Sequence, residues 1–143
     1  LWPMHPRTRA SIDRLGLQPL LADTRVACLD PQGYLEMVGL MSHARFVITD
    51  SGGVQEETTA LGVPCLTMRA NTERPVTIEQ GTNTLAPLDA SVVLRHVDDI
   101  LRHGGKRGRI PECWDGRTAA RIADHLAGWL AQQAAQERSE ATA

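Results

Sequence analysis

The sequence predicts an open, doubly wound α/β domain built on a parallel β-sheet. Short apolar runs alternate with amphipathic segments of helical periodicity, and glycine or proline separates most of them. Strands and helices that alternate in this way form βαβ units with parallel strands. The run 46–49 is almost wholly apolar, as expected of a parallel strand covered on both faces. Sheets of this kind bind ligands at the carboxyl ends of their strands, where loops meet helix N-termini.

The first part of the chain contains three predicted strands and two predicted helices. Gly16 ends the first helix, and Met37 and Met41 lie one turn apart on the apolar face of the second. In chain order these elements are a strand over 1–4, a helix over 8–15, a strand over 26–29, a helix over 34–42 and a strand over 46–49.

The second part continues the alternation. Gly62 and Pro64 close the helix that follows the third strand, and Gly104 and Gly105 end a later one. In chain order we predict a helix over 54–61, a strand over 65–68, a short helix from Pro75, an edge-like strand over 83–86, a helix from Asp89 or Ser91 to about His103, and a last helix from near Arg117. Residues 1–136 are interpreted as one α/β domain and 137–143 as a polar, disordered tail.

The composition indicates one globular domain and excludes some classes of partner. The chain has 143 residues, 42% of them hydrophobic, which is enough for one buried core. Its 15 basic and 17 acidic residues leave a net charge of −2, so neither a nucleic acid nor another polyanion is an expected partner. An anionic small ligand must therefore be held by local geometry.

Three cysteines occur, and their spacing predicts neither a disulfide framework nor a metal site. Cys28 and Cys65 lie in apolar runs, Cys113 is distant, and no C-x-x-C pair is present. No metal or cofactor is expected. No apolar run approaches the roughly 20 residues that span a bilayer, and the first residues lack the pattern of a signal peptide. We expect a cytoplasmic piece of a longer protein, without a membrane partner.

The turn Ser51-Gly52-Gly53 is the strongest candidate for a ligand site. Two glycines at a helix start let a ligand approach the backbone, and the free N–H groups of the first turn attract an anion. A phosphate or diphosphate fits such a site, and the Ser51 hydroxyl adds a donor. The alternative is a tight turn capped by Ser51 or Asp50, with no ligand. The glycines alone do not decide between the two.

Two glutamates follow this turn. A carboxylate one turn beyond a phosphate-binding loop can accept both hydroxyls of a ribose. Glu56 and Glu57 point about 100° apart on a helix, so only one of them faces the cleft squarely. The loop 69–74 follows the next strand and should lie at the same edge of the sheet. Its Arg74 is interpreted as a ligand contact, and Arg69 as part of a solvated loop.

These motifs together resemble the non-hydrolysing UDP-N-acetylglucosamine 2-epimerases. The similarity is dense over about residues 2 to 86 and generic beyond them. The motifs that carry it are Met4-His5-Pro6-Arg7-Thr8, Asp30-Pro31-Gln32-Gly33-Tyr34-Leu35, Thr49-Asp50-Ser51-Gly52-Gly53-Val54-Gln55-Glu56-Glu57, Leu61-Gly62-Val63-Pro64, Thr72-Glu73-Arg74-Pro75 and Glu79-Gln80-Gly81-Thr82-Asn83.

The resemblance implies roles for particular residues. Ser51, Gly52 and Gly53 would hold the diphosphate of UDP, and Glu57 would accept the ribose hydroxyls. Arg74 would contact the phosphate or sugar side of the cleft.

Two further residues belong to the same resemblance. Met37 would lie against the uracil, where the family has an apolar or aromatic side chain. His5 matches a histidine of a regulatory site that binds a second substrate molecule, and a purely structural role for His5 is an equal alternative.

The resemblance also implies an architecture and a reaction. The architecture is the C-terminal, nucleotide-binding half of a two-domain glycosyltransferase-B-type fold, in an enzyme of cell-surface polysaccharide biosynthesis that is a homodimer at full length. The reaction removes the C2 proton and expels UDP, which then adds back. Its acid and base residues would lie on the N-terminal domain, outside this chain, so the chain alone is expected to be inactive.

The resemblance also implies that the first strand and helix that the family has in this domain have no counterpart in the sequence. In a doubly wound sheet the first strand is central, so its loss leaves inner strand edges unpaired. We therefore expect a truncated piece or a rearranged dimer.

Three other functions stay open at this point. The alternatives to an epimerase half are a non-catalytic UDP-binding fragment, half of a UDP-sugar glycosyltransferase, and part of a hydrolysing epimerase. The Thr72-Glu73-Arg74-Pro75 motif favours an epimerase over a transferase.

Overall fold

The structure is a computed structural model, and it describes residues 1–22 and 25–140. The chain divides into two compact units, residues 1–44 and 45–143. The first unit contains β1 (Trp2–Pro3), α1 (Pro6–Leu15), a 3₁₀ turn (Gln18–Leu21), β2 (Cys28–Leu29) and α2 (Tyr34–Ser42). The second contains β3 (Val47–Thr49), α3 (Gly52–Leu61), β4 (Cys65–Thr67), α4 (Pro75–Glu79), β5 (Asn83–Leu85), α5 (Ala90–His103) and α6 (Thr118–Glu140).

Every strand pair among the described residues is parallel, which confirms the predicted α/β class. Two sheets form instead of one, with strand orders β1-β2 and β3-β4-β5. Within the described part of the chain β3 and β5 are the two edges of their sheet, and each pairs with β4 only. Sequence periodicity locates strands but does not specify which of them pair.

In the first unit β1 and β2 are short, and α1 follows β1 after a tight connection. Trp2 pairs with Cys28 in register, and the buried side chains are Met4, Ile12 and Met41. Gly16 ends α1 as predicted, with a φ of 64° that a residue with a Cβ rarely adopts.

In the second unit the sheet has a helix layer on each face. Leu66 of β4 and Ile100 of α5 belong to the buried core, together with Ala86. The next residue along β4, Thr67, faces the opposite way, toward α3 and α4. Because β3, β4 and β5 are parallel and in register, the loops that follow β3 and β4 leave from the same edge of the sheet.

Several boundaries differ from the predicted ones, and the two largest consequences concern α3 and α6. Helix α3 begins at Gly52, so both glycines are helical, although we predicted a start at Val54. Helix α6 extends through Glu140 and so includes part of the segment that we predicted to be a tail. Residues 141–143 lie outside the described residues. The domain limits 1–136 and 137–143 stay a prediction. The apolar stripe of α6, from Ile122 to Leu130, is about half exposed. No helix in the described ranges is long and apolar enough to cross a membrane.

Candidate functional site

The N-terminus of α3 lacks a side-chain cap, although the residue before it has the right chemistry for one. Ser51 occupies the N-cap position with an extended backbone, yet its side chain makes no capping hydrogen bond. Helices α1 and α5 do have caps, from His5 Nδ1 and from Asp89 Oδ1. The backbone N–H of Ser51 instead donates to Thr49 Oγ1 at 3.0 Å. The Ser51 hydroxyl and the first amides of α3 are therefore available to a ligand.

The two glycines of the turn differ in what surrounds them. A Cβ added at Gly53 would meet nothing within 4 Å, whereas one at Gly52 would lie 2.5 Å from Glu73 Oε1. Neither glycine has a positive φ. Neither the backbone conformation nor the internal packing thus requires glycine at position 53, and the space in front of its backbone is open. A ligand can therefore approach the backbone at Gly53 closely.

The structure distinguishes the two glutamates of α3. Glu56 Oε1 lies 3.1 Å from Arg74 Nε, in an ion pair. Glu57 is partly buried, and no hydrogen-bond or ion-pair partner for it is found among residues 1–22 and 25–140. Of the two carboxylates, that of Glu57 is the one free to accept hydroxyl groups.

Arg74 carries a donor for which the described residues provide no acceptor. Its Nε is buried and has no hydrogen bond, because Glu56 approaches within ion-pair distance but outside hydrogen-bonding geometry. The side chain as a whole is 43% exposed, so a ligand can reach its outer part, and Nε becomes accessible when the side chain turns. Met68 N donates to Thr49 O at 2.8 Å, which joins the start of this loop to the end of β3. The loop and the glycine turn thus lie at one edge of the sheet, as predicted.

A carboxylate of the same loop also belongs to this edge. Glu73 Oε2 pairs with Arg69 NH1 at 2.7 Å, and both side chains are partly exposed. A hydrogen bond from the residue's own backbone N–H lowers the pKa of Glu73, and the charge of Arg69 lowers it further. The ionised form therefore predominates at neutral pH, directly beside Gly52.

A buried polar network beneath the turn was not predicted. Gln55 and Asn83 are both fully buried, and Asn83 Nδ2 donates to Gln55 Oε1 at 3.0 Å. Thr72 Oγ1 donates to the same Gln55 oxygen at 2.6 Å, and Thr67 Oγ1 donates to Asn83 Oδ1 at 2.6 Å. The available signal was Thr67, a polar residue within the otherwise apolar run Cys65-Leu66-Thr67-Met68, which indicates a polar partner in the interior.

Ser51, Gly52, Gly53, Glu57 and Arg74 all belong to the second unit. Met37 lies on α2 and His5 at the start of α1, both in the first unit, and their assignments to a uracil contact and a regulatory site stay predictions. His5 Nδ1 accepts a hydrogen bond from Arg7 N at 3.1 Å, so the side chain has a structural role in any case. Among the residues described, no group of three His, Cys, Asp or Glu side chains is placed to hold a metal ion.

Comparisons with known proteins agree with the motifs. The family model described as UDP-N-acetylglucosamine 2-epimerase matches residues 1–127. A UDP-N-acetylglucosamine 2-epimerase of Methanococcus maripaludis is 43% identical over 103 residues, which cover 71% of this chain and 28% of that protein. The UDP-2,3-diacetamido-2,3-dideoxy-D-glucuronate 2-epimerase of Pseudomonas aeruginosa is 37% identical over 134 residues, covering 87% of this chain and 34% of that protein.

A solved structure matches the fold as well as the sequence. The UDP-GlcNAc 2-epimerase of Methanocaldococcus jannaschii, crystallised in complex with UDP-GlcNAc and UDP, superposes with a TM-score of 0.76 at 37% identity, over 86% of this chain and 34% of that one. The chain thus spans about a third of the length of the relatives it matches. Because the family model covers most of the chain and the fold agrees, the chain belongs to the UDP-N-acetylglucosamine 2-epimerase family.

Proposed function

We propose that the chain binds the UDP part of UDP-N-acetylglucosamine and forms part of a 2-epimerase that interconverts this sugar nucleotide with UDP-N-acetylmannosamine. Ser51, Gly52 and Gly53 hold the diphosphate, and Glu57 accepts the ribose hydroxyls. Arg74 donates to the phosphate or sugar side. Met37 packs against the uracil.

The observation that carries this proposal is the open start of α3. Its first amides have no cap, its Gly53 faces empty space, and the Glu57 carboxylate one turn later has no partner in the described ranges. The amides and the positive end of the helix dipole favour a diphosphate, while a carboxylate favours a neutral diol. Diphosphate and ribose are adjacent in UDP, as the two features are adjacent on the helix.

In this proposal Arg74 changes its partner when the ligand binds. In the free chain its charge is balanced by Glu56, but its buried Nε–H has no acceptor. A phosphate or sugar oxygen at this edge would supply that acceptor. Since a charge-assisted hydrogen bond to phosphate is stronger than an ion pair without hydrogen-bond geometry, Arg74 would turn toward the ligand and release Glu56.

The reaction requires more than this chain. Elimination of UDP and its re-addition on the other face of the sugar need a site that retains UDP between the two steps, which the α3 turn would provide. They also need a general acid and a general base. The proposal assigns these to the part of the protein outside this chain. A homodimeric full-length form, implied by the resemblance, and the cytoplasmic location expected from the sequence belong to the same proposal.

Calorimetry with UDP tests the binding role. Glu57→Ala should weaken UDP binding by tenfold or more, because loss of a charged acceptor from a ligand typically costs about 1.5–3 kcal/mol. Glu112→Ala changes the net charge equally at an exposed position and serves as the control. Equal UDP affinity of the Glu57→Ala variant and the unaltered chain would show that Glu57 does not bind the ribose.

A second measurement tests the assignment of catalysis. Incubation of this chain alone with UDP-N-acetylglucosamine should produce no UDP-N-acetylmannosamine. Turnover would place the acid and base groups within these residues and overturn that part of the proposal.

A further inference from the structure

A continuous chain of hydrogen bonds joins Ser51 to Arg74 through the interior of the second unit. Gln55 Nε2 donates to the Ser51 carbonyl at 3.2 Å, and Gln55 Oε1 accepts from Thr72 Oγ1 at 2.6 Å. The same Thr72 oxygen accepts from the backbone N–H of Arg74 at 2.9 Å. Two side chains thus connect the backbones of two residues that the proposed function places on the ligand.

The orientation of the Gln55 amide is fixed by its surroundings. Its oxygen accepts two hydrogen bonds, from Thr72 and from Asn83 Nδ2, and a flipped amide would direct N–H groups at both of these donors. Asn83 is itself oriented, because its oxygen accepts from Thr67 Oγ1. Gln55 is fully buried, so water cannot replace a lost partner. The Gln55 N–H is therefore held toward the Ser51 carbonyl.

The same network holds the other side of the Arg74 backbone. Thr77 Oγ1 donates to the Arg74 carbonyl at 2.7 Å and accepts from Asn83 Nδ2 at 3.1 Å. Both polar groups of the Arg74 backbone are thus bonded to threonine hydroxyls that lead back to Gln55 or Asn83. The backbone of Arg74 is thus tied to the α3 turn by this buried network.

Resting on the proposed function, we infer that Gln55 and Thr72 are positioning residues of the nucleotide site. They fix the spacing between the Ser51-Gly52-Gly53 turn and the backbone of Arg74, so that on binding only the side chain of Arg74 turns toward the diphosphate. Neither side chain contacts the ligand. Preorganisation of this kind raises affinity because the ordering cost is met before the ligand arrives.

A double-mutant cycle on UDP affinity tests this inference. Arg74→Ala should weaken UDP binding about tenfold or more in the otherwise unaltered chain. In a Thr72→Val background the same change should cost about threefold or less, because Arg74 is no longer held in place. Thr72 is only half-buried, so valine is accommodated there. Should the Thr72→Val chain not fold, Thr72→Ala takes its place in the cycle.

Two matched variants separate positioning from stability. Thr58→Val removes a buried hydroxyl that donates to Val54 O within α3, so it should lower the unfolding temperature without changing the contribution of Arg74. Thr72→Ser keeps the hydroxyl and should restore both the affinity and the coupling. A Thr72→Ser chain that behaves like Thr72→Val would overturn the inference.

The two proposals fail in different ways. If the unaltered chain does not bind UDP, the proposed function and this inference both fall. If it binds UDP but the losses from Thr72→Val and Arg74→Ala simply add, the nucleotide site stands and the positioning role is refuted.

Discussion

The carboxylate of Glu73 lies against the backbone of Gly52, so near that a Cβ on this glycine would stand 2.5 Å from Glu73 Oε1. Arg69 pairs with the same carboxylate from the other side. The free chain therefore holds a negative charge of its own beside the helix start that we propose for the diphosphate. Binding of UDP has to move this carboxylate or work against its charge.

Neutralising Glu73 should accordingly tighten UDP binding. Glu73→Gln removes a like charge from the diphosphate site and frees Arg69, and we expect a gain in affinity of about threefold at low ionic strength, shrinking as salt is added. Because the pKa of Glu73 is lowered, the effect should persist across the neutral pH range. Calorimetry at two salt concentrations measures it, with Glu112→Gln as the control. Weaker binding by Glu73→Gln would mean that this carboxylate contacts the ligand favourably.

Replacing Gly53 should separate folding from binding. The position is helical, has no positive φ and has open space around it, so Gly53→Ala should raise the free energy of unfolding by about 0.5 kcal/mol. The same methyl group would occupy the path of the diphosphate and weaken UDP binding by tenfold or more. Gly128→Ala on α6 is equally unobstructed and should change stability alone. A Gly53→Ala chain with unchanged UDP affinity would contradict the proposed site.

The buried network should be costly to break. Asn83→Ala removes three hydrogen bonds and leaves the Thr67 hydroxyl without its acceptor in the interior, so we expect a loss of about 3 kcal/mol in the free energy of unfolding. Asn71 has an exposed amide on the nearby loop, and Asn71→Ala should change stability by less than about 0.5 kcal/mol. Urea denaturation of both variants measures the difference, and equal stabilities would show that the network contributes little.

The start of α6 should depend on pH. Two hydrogen bonds from the Arg121 guanidinium, at 2.6 and 2.8 Å, and one from Arg117 N lower the pKa of Asp115 to about 2. A carboxyl whose pKa is lower in the folded state stabilises the fold above its unfolded pKa of 3.8, and this contribution is lost as pH falls toward 2.

Asp115→Asn should therefore destabilise the chain at pH 7 and have no effect near pH 2. Asp124→Asn alters an exposed carboxylate on the same helix and should show no such dependence. Thermal unfolding followed by circular dichroism across this pH range compares the two, and parallel curves for both variants would refute the role of Asp115.

Much of the candidate site follows from local sequence. The spacing of apolar residues predicts the order of strands and helices. Glycines such as Gly16 and Gly62 mark helix ends, where a left-handed backbone is needed. The pair of glycines after an apolar strand likewise indicates a helix start open to an anion. These inferences hold because each depends on interactions within a few residues of the chain.

The sequence by itself determined the α/β class, the position of the Ser51-Gly52-Gly53 turn, and the family to which the chain belongs. Only the tertiary structure decided which glutamate of α3 is paired, since Arg74 reaches Glu56 from a loop distant in sequence. It likewise decided that Gln55 lies buried between Thr72 and Asn83. The physical reason is that a hydrogen bond or an ion pair depends on distances between atoms that folding alone brings together, and no local periodicity records them.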